Sequence, residues 1–112
     1  MKQLIESIGE ASTFSLAPSP VLIGMPQLSL RGLSENWLLK EGGHRHWMAL
    51  AHAFGKPIPD FRDERGNRLY AAFLAYRMTD RGIDTISENE TVVFETTLSR
   101  VSRSQCLSRH LL

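Results

Sequence analysis

The chain has 112 residues and 42% hydrophobic content, which allows one domain with a modest core and excludes two. Its formal charge of +1 gives no reason to expect a nucleic-acid partner, since Arg100, Arg103 and Arg109 read as a solvated tail and not as a basic stripe. One cysteine, Cys106, excludes an internal disulfide and fits a reducing, cytoplasmic setting. No stretch approaches the roughly 20 apolar residues of a membrane span, and "MKQLIESIGEAS" lacks the apolar run of a secretory signal.

Residues 1–20 read as a lead-in to a single domain over 21–112. "MKQLIESIG" suits a short helix stopped by Gly9, and the Ser/Pro-rich "EASTFSLAPSP" reads as loop. Val21–Ile23 begins an apolar strand that Gly24 and Pro26 break. Leu28 and Leu30 then alternate with Gln27, Ser29 and Arg31, which predicts a second extended piece.

Ser34 is a good helix N-cap, and Glu35 follows where the positive end of a helix favours an acid. "ENWLLKE" is helical. Gly42-Gly43 then costs a helix about 2 kcal/mol relative to two alanines, which predicts a break or kink. The helix resumes in "HRHWMALAHAFG", where Trp47, Leu50, Ala51 and Phe54 fall on one face. Gly55 stops it, and Pro57 and Pro59 prevent its continuation. "DFRDERGNR" is charged and ends in a turn at Gly66-Asn67.

"GNRLYAAFLAYRM", Gly66 to Met78, carries both periods. Leu69, Ala72, Phe73 and Tyr76 fit a helix, whereas Leu69, Ala71, Phe73 and Ala75 fit one face of a strand. "TDRGIDTISENE" is a polar connection with a short extended piece. "TVVFETTLSR" is a strand, with Val92, Phe94, Thr96 and Leu98 on one face and Thr91, Val93, Glu95, Thr97 and Ser99 on the other. "VSRSQCLSRHLL" is a candidate for one more strand.

The side chains with chemistry are few. His44 and His46, two apart on a helix, diverge by about 200°, and His46 and His52 also miss a common face, so no metal site is predicted. Cys106 has no patterned partner. Glu35 or Glu41 could serve as a general base if buried beside a thioester, although a helical Glu is ordinarily solvated. On a strand, Arg68 and Tyr70 project to the same side, about 7 Å apart. A phenol titrates near pH 10. A neighbouring arginine would stabilise its phenolate and so activate it as a nucleophile. A tyrosine in an apolar strand is more commonly a packing residue.

"GLSENWLLKEGGHRHW", together with Gly24-Met25, Trp37, Gly66-Asn67 and Tyr70-Ala71-Ala72-Phe73 in that order, resembles a family of biosynthetic-cluster proteins. These are similar to the bifunctional acyltransferase/decarboxylase of leinamycin-type polyketide assembly. The resemblance spans roughly Gly24 to Leu98. It implies an α+β hot-dog fold, an antiparallel sheet wrapped around a central helix, with the Tyr70 segment as a strand. It also implies transfer of a short acyl group, for example from methylmalonyl-coenzyme A, through a tyrosine matching Tyr70 to an acyl carrier protein. Coenzyme A enters as a substrate thioester and no other cofactor is implied. Arg68 would be the partner of the phenolate or carboxylate, and His46 a proton carrier. The enzymes resembled are double hot-dogs, so the chain corresponds either to a fragment or early-terminated member of that group or to an incomplete single hot-dog completed by a homodimer. Two alternatives accompany this reading: a non-catalytic hot-dog that binds or scaffolds an acyl carrier, and a hot-dog thioesterase or dehydratase using a helix Glu or a His.

Overall fold

The structure, a computed structural model, describes residues 13–69, 83–102 and 105–112. Among the described residues, four strands and one long helix make an α+β arrangement: β1 (Thr13–Ser15), β2 (Ser19–Leu22), α1 (Glu35–Ala53), β3 (Thr91–Ser102) and β4 (Gln105–Leu111). Single 3₁₀ turns lie at Met25–Gln27 and Ile83–Thr85. No helix among the described residues is long and apolar enough to cross a membrane.

β3 organises the sheet. β1, β2 and β4 all pair with it, antiparallel. β1 and β2 follow one another along it, Phe14 opposite Leu98 and Val21 opposite Val92. Thr97, Leu98 and Ser99 pair with both β1 and β4, so those two strands flank β3 on opposite edges. The alternation in "TVVFETTL" is realised: Phe94, Thr96 and Leu98 are buried, while Thr91, Val93, Glu95 and Thr97 are exposed. The strand runs on to Ser102, and the following stretch returns as β4. Thr13–Ser15, which reads as loop from its Ser/Pro content, forms β1. Three residues need little β-propensity when a long neighbour supplies the ladder.

α1 packs on the inner face of this sheet. The Ser34 hydroxyl accepts from the Trp37 N–H at 3.2 Å, and Glu35 occupies the first turn. At the other end Gly55 takes φ +70°, which frees its N–H for the His52 carbonyl and the Lys56 N–H for the Ala51 carbonyl, both at 2.9 Å. The predicted break at Gly42-Gly43 is absent, and the helix is continuous through both. Gly42 lies in the buried stripe Leu38, Gly42, Arg45, Ala49, where burial against neighbouring elements outweighs an intrinsic penalty that belongs to isolated helices.

Two apolar clusters anchor the two ends of α1. Ile23, Leu33, Leu38 and Phe94 form one, with Trp37 edge-on to Phe94 at 5.8 Å. Ala49, Leu50, Ala51, Phe61 and Leu98 form the other, flanked by Trp47 and Phe54. Each large side chain buried here is worth roughly 1.5–3 kcal/mol. The extended piece expected over Gln27–Arg31 is instead a bend. The Ser29 N–H reaches the Gly32 carbonyl at 2.8 Å, only Leu28 and Leu33 bridge, and Leu30 stands in solvent.

Candidate functional site

Two places beside α1 bring together the side chains with chemistry. The first is a cleft of about 260 Å³ lined by His44, Trp47, Pro59, Asp60, Phe61, Arg68 and Leu69. Its far wall is built by a turn. Asp63 Oδ1 accepts from the N–H groups of Arg65 and Asn67, both at 2.9 Å, and its Oδ2 accepts from the Asn67 amide at 3.1 Å. These bonds, Asn67's first, hold the Asp63 carboxyl below its usual range. Gly66 takes φ +83° and closes the turn, so that Arg62 bridges Arg68 and the Leu69 N–H reaches the Phe61 carbonyl at 2.7 Å. Arg68 and Leu69 thereby come to the cleft from one side, and Trp47 comes from α1.

Arg68 stands 3.7 Å from the Asp60 carboxylate, which Arg62 also approaches at 3.2 Å. Arg68 is about half exposed, so this pair contributes little stability. Trp47 and Phe61, tilted at 6.0 Å, supply an apolar wall. A cation facing such a wall suits a ligand that is apolar along its length and anionic at one end.

The second place lies where α1 meets β4. His46 Nδ1 is 2.7 Å from Ser108 Oγ, Ser108 Oγ is 3.0 Å from His110 Nε2, and His110 Nδ1 is 2.8 Å from Thr96 Oγ1. Register produces this row. Thr96 opposes His110 and Leu98 opposes Ser108, so Ser108 and His110 share the inner face of the sheet with the buried Thr96. Burial lowers the His46 pKa. Burial first, and then the nearby charges of His46 and Arg45, push His110 down to about 4. A neutral imidazole offers one N–H and one lone pair. His110 can therefore donate to Ser108 while Ser108 donates to His46, or the whole chain can reverse. Cys106, next along this face, has its thiol pushed up by burial, against the opposing pull of Arg100.

Arg45 sits beside this row, buried, with its guanidinium 4.2 Å above the Phe94 ring. Its Nε lies 3.1 Å from Glu41 Oε1 yet finds no hydrogen-bond acceptor among the described residues. The separation is that of an ion pair, but the N–H does not point at the oxygen, so the attraction is Coulombic.

Of the residues singled out in the sequence, Arg68 belongs to the cleft and His46 to the row with Ser108. Arg68 lines the cleft and His46 does not; its imidazole is hydrogen-bonded to Ser108. Tyr70 lies outside the described residues, as do residues 71–78 of the segment whose period was ambiguous. Glu35 is exposed in the first turn of α1, and Glu41 is engaged by Arg45. Ser108, His110 and Thr96 were not singled out. Period-two spacing of Cys106, Ser108 and His110 was the available signal, and only the pairing with β3 turns it inward. Among the described residues no group of three or more His, Cys, Asp or Glu could hold a metal ion. No family model, curated protein or solved structure matches the chain.

Proposed function

We propose that the protein handles acyl thioesters on a hot-dog-like fold. It takes a short acyl group, such as that of methylmalonyl-coenzyme A, onto Tyr70 and passes it to an acyl carrier protein. One observation carries this reading: the Asp63–Asn67 turn delivers Arg68 and Leu69 to an apolar-walled cleft along α1, one residue before Tyr70. The helix laid on an antiparallel sheet is compatible with a hot-dog.

In this scheme the Tyr70 oxygen attacks the thioester carbonyl carbon, the C–S bond breaks, and the phenol proton passes to the departing thiolate. Loss of carbon dioxide from the bound malonyl-type group leaves an enolate that takes up a proton. Arg68 holds the substrate carboxylate before that loss and favours the phenolate before attack. His46 lies in the row with Ser108 and not among the residues lining the cleft, so the enolate takes its proton from water. Intact mass after incubation with methylmalonyl-coenzyme A tests the scheme. A propionyl or methylmalonyl adduct is expected on the wild type and none on Tyr70→Phe. An unshifted wild-type mass, or equal shifts in both proteins, overturns it.

The open, half-exposed setting of Arg68 also favours a second reading, in which the cleft binds an acyl carrier's arm without chemistry. Titration with an acyl carrier protein separates the two. Binding that survives Tyr70→Phe with no adduct supports the non-catalytic role.

A further inference from the structure

We propose that Ser108 is a nucleophile that takes an acyl group from a small uncharged ester, with His46 as its general base. The site is separate from the cleft and does not use Tyr70.

Two imidazoles converge on one hydroxyl. Ser108 Oγ lies 2.7 Å from His46 Nδ1, on α1, and 3.0 Å from His110 Nε2, on β4. His110 is held in turn through Nδ1 by Thr96 Oγ1 at 2.8 Å, on β3. Thr96 is buried, whereas Ser108, His110 and His46 are partly exposed. Water can satisfy a partly exposed hydroxyl or imidazole where it stands, so solvation alone does not bring two rings onto one oxygen. All four side chains stand on a helix or on strands, which hold a reacting group more precisely than loops do.

The proton count assigns the roles. A hydroxyl has one proton and cannot donate to both rings. Burial disfavours a proton on either ring, and at His110 the charges of His46 and Arg45 disfavour it further. His46 is therefore the better base. The hydrogen bonds then run from the Thr96 hydroxyl to His110 Nδ1, from His110 Nε2–H to Ser108 Oγ, and from the Ser108 hydroxyl to His46 Nδ1. His110 positions the oxygen and His46 draws its proton, the division of labour that activates a serine for covalent acyl transfer.

In the reaction, an Oγ lone pair forms a bond to the ester carbonyl carbon and the Oγ proton moves to His46 Nδ1. The bond to the leaving oxygen then breaks with its electron pair, and that oxygen takes the proton from His46. Water attacks the acyl-serine in the same way, gives a proton to His46, and releases the acid as Ser108 Oγ recovers that proton. Arg45, a buried cation whose charge is felt at His110, favours the negative charge that gathers on the carbonyl oxygen in both passages. A small uncharged ester reaches this half-buried place at less cost in hydration than a charged one.

p-Nitrophenyl acetate and the full chain test this. Release of p-nitrophenolate is expected, with an acetyl group on Ser108 located by peptide mass after acid quenching. Tyr70→Phe should keep both, so failure here and failure at the cleft are read apart. His46→Gln retains a hydrogen-bonding side chain that cannot take the proton, and should slow acetylation about 100-fold or more. His110→Gln still offers a donor to the oxygen and should slow it less than about 10-fold. Circular dichroism checks that both variants fold, and if either does not, the wild-type peptide map decides. An acetyl group found only on other residues, or none at all, overturns the proposal. So does equal loss in the two folded glutamine variants.

Discussion

Acidification should destabilise the protein well above the range in which carboxylates titrate, and His110 should be the main cause. Its pKa stands at about 4 in the fold, against about 6.5 in an unfolded chain, and that of His46 is also lowered. Both folded values lie below the unfolded one, so the unfolded state binds protons first as the pH drops. Stability is thus full above about pH 6.5 and is lost as the pH falls toward 4. A displacement of this size corresponds to about 3 kcal/mol at a sealed site. The His110 ring is only half-buried, and solvent screening brings the expected loss to about 1–2 kcal/mol. His110→Gln keeps a donor and an acceptor for Thr96 and Ser108 but cannot be charged. Urea unfolding at intervals from pH 7.5 to 4.5 should show wild-type stability falling with pH. The variant should start about 1 kcal/mol lower and fall much less steeply. Asp63, held below its usual range, would add its own loss only at still lower pH. Parallel curves for the two proteins, or a flat wild-type curve, would refute the assignment of buried neutral imidazoles to this row.

Three further substitutions follow from the packing of α1. Arg45 is a buried cation whose attractions to Glu41 and Phe94 must offset its desolvation, so Arg45→Met, similar in length and apolar, should leave stability within about 1 kcal/mol or raise it. Glu41→Gln, which leaves that cation without its counter-charge, should cost about 3 kcal/mol; urea midpoints compare the two. Gly55→Ala meets no steric obstacle but forces a left-handed φ on a residue with a Cβ, and should lower stability by about 1 kcal/mol, read as a drop in Tm of a few degrees.

The parts of the fold that could be read from sequence are those whose signals are local. Ser34 and Gly55 bound α1 because capping acts within one turn, and β3 alternates because one of its faces is buried along most of its length. Gly42 misleads because its penalty is a property of the helix alone, while its burial comes from the elements packed around it. β1 is hidden for the opposite reason: its three residues are strand only because Leu98 and its neighbours offer a ladder. The row His46, Ser108, His110 joins positions 62 apart, and nothing near either end of that separation announces the other. Arg68 was legible through the Gly66-Asn67 turn, although the turn's strongest ties come from Asp63, three residues earlier than the glycine. The role of Tyr70 rests on resemblance.

The placement of the two tryptophans has a spectroscopic consequence. Trp37 rests edge-on against Phe94 in one apolar cluster, and Trp47 packs against Phe61 in the other. Ten residues of helix separate them, about 15 Å. Each indole therefore reports on its own half of the interior, and a single rigid rod connects the two reporters. If the halves melt together, fluorescence from either indole alone traces the same transition. If the helix frays from one end, the two signals part, and the order in which they change tells which end of α1 lets go first.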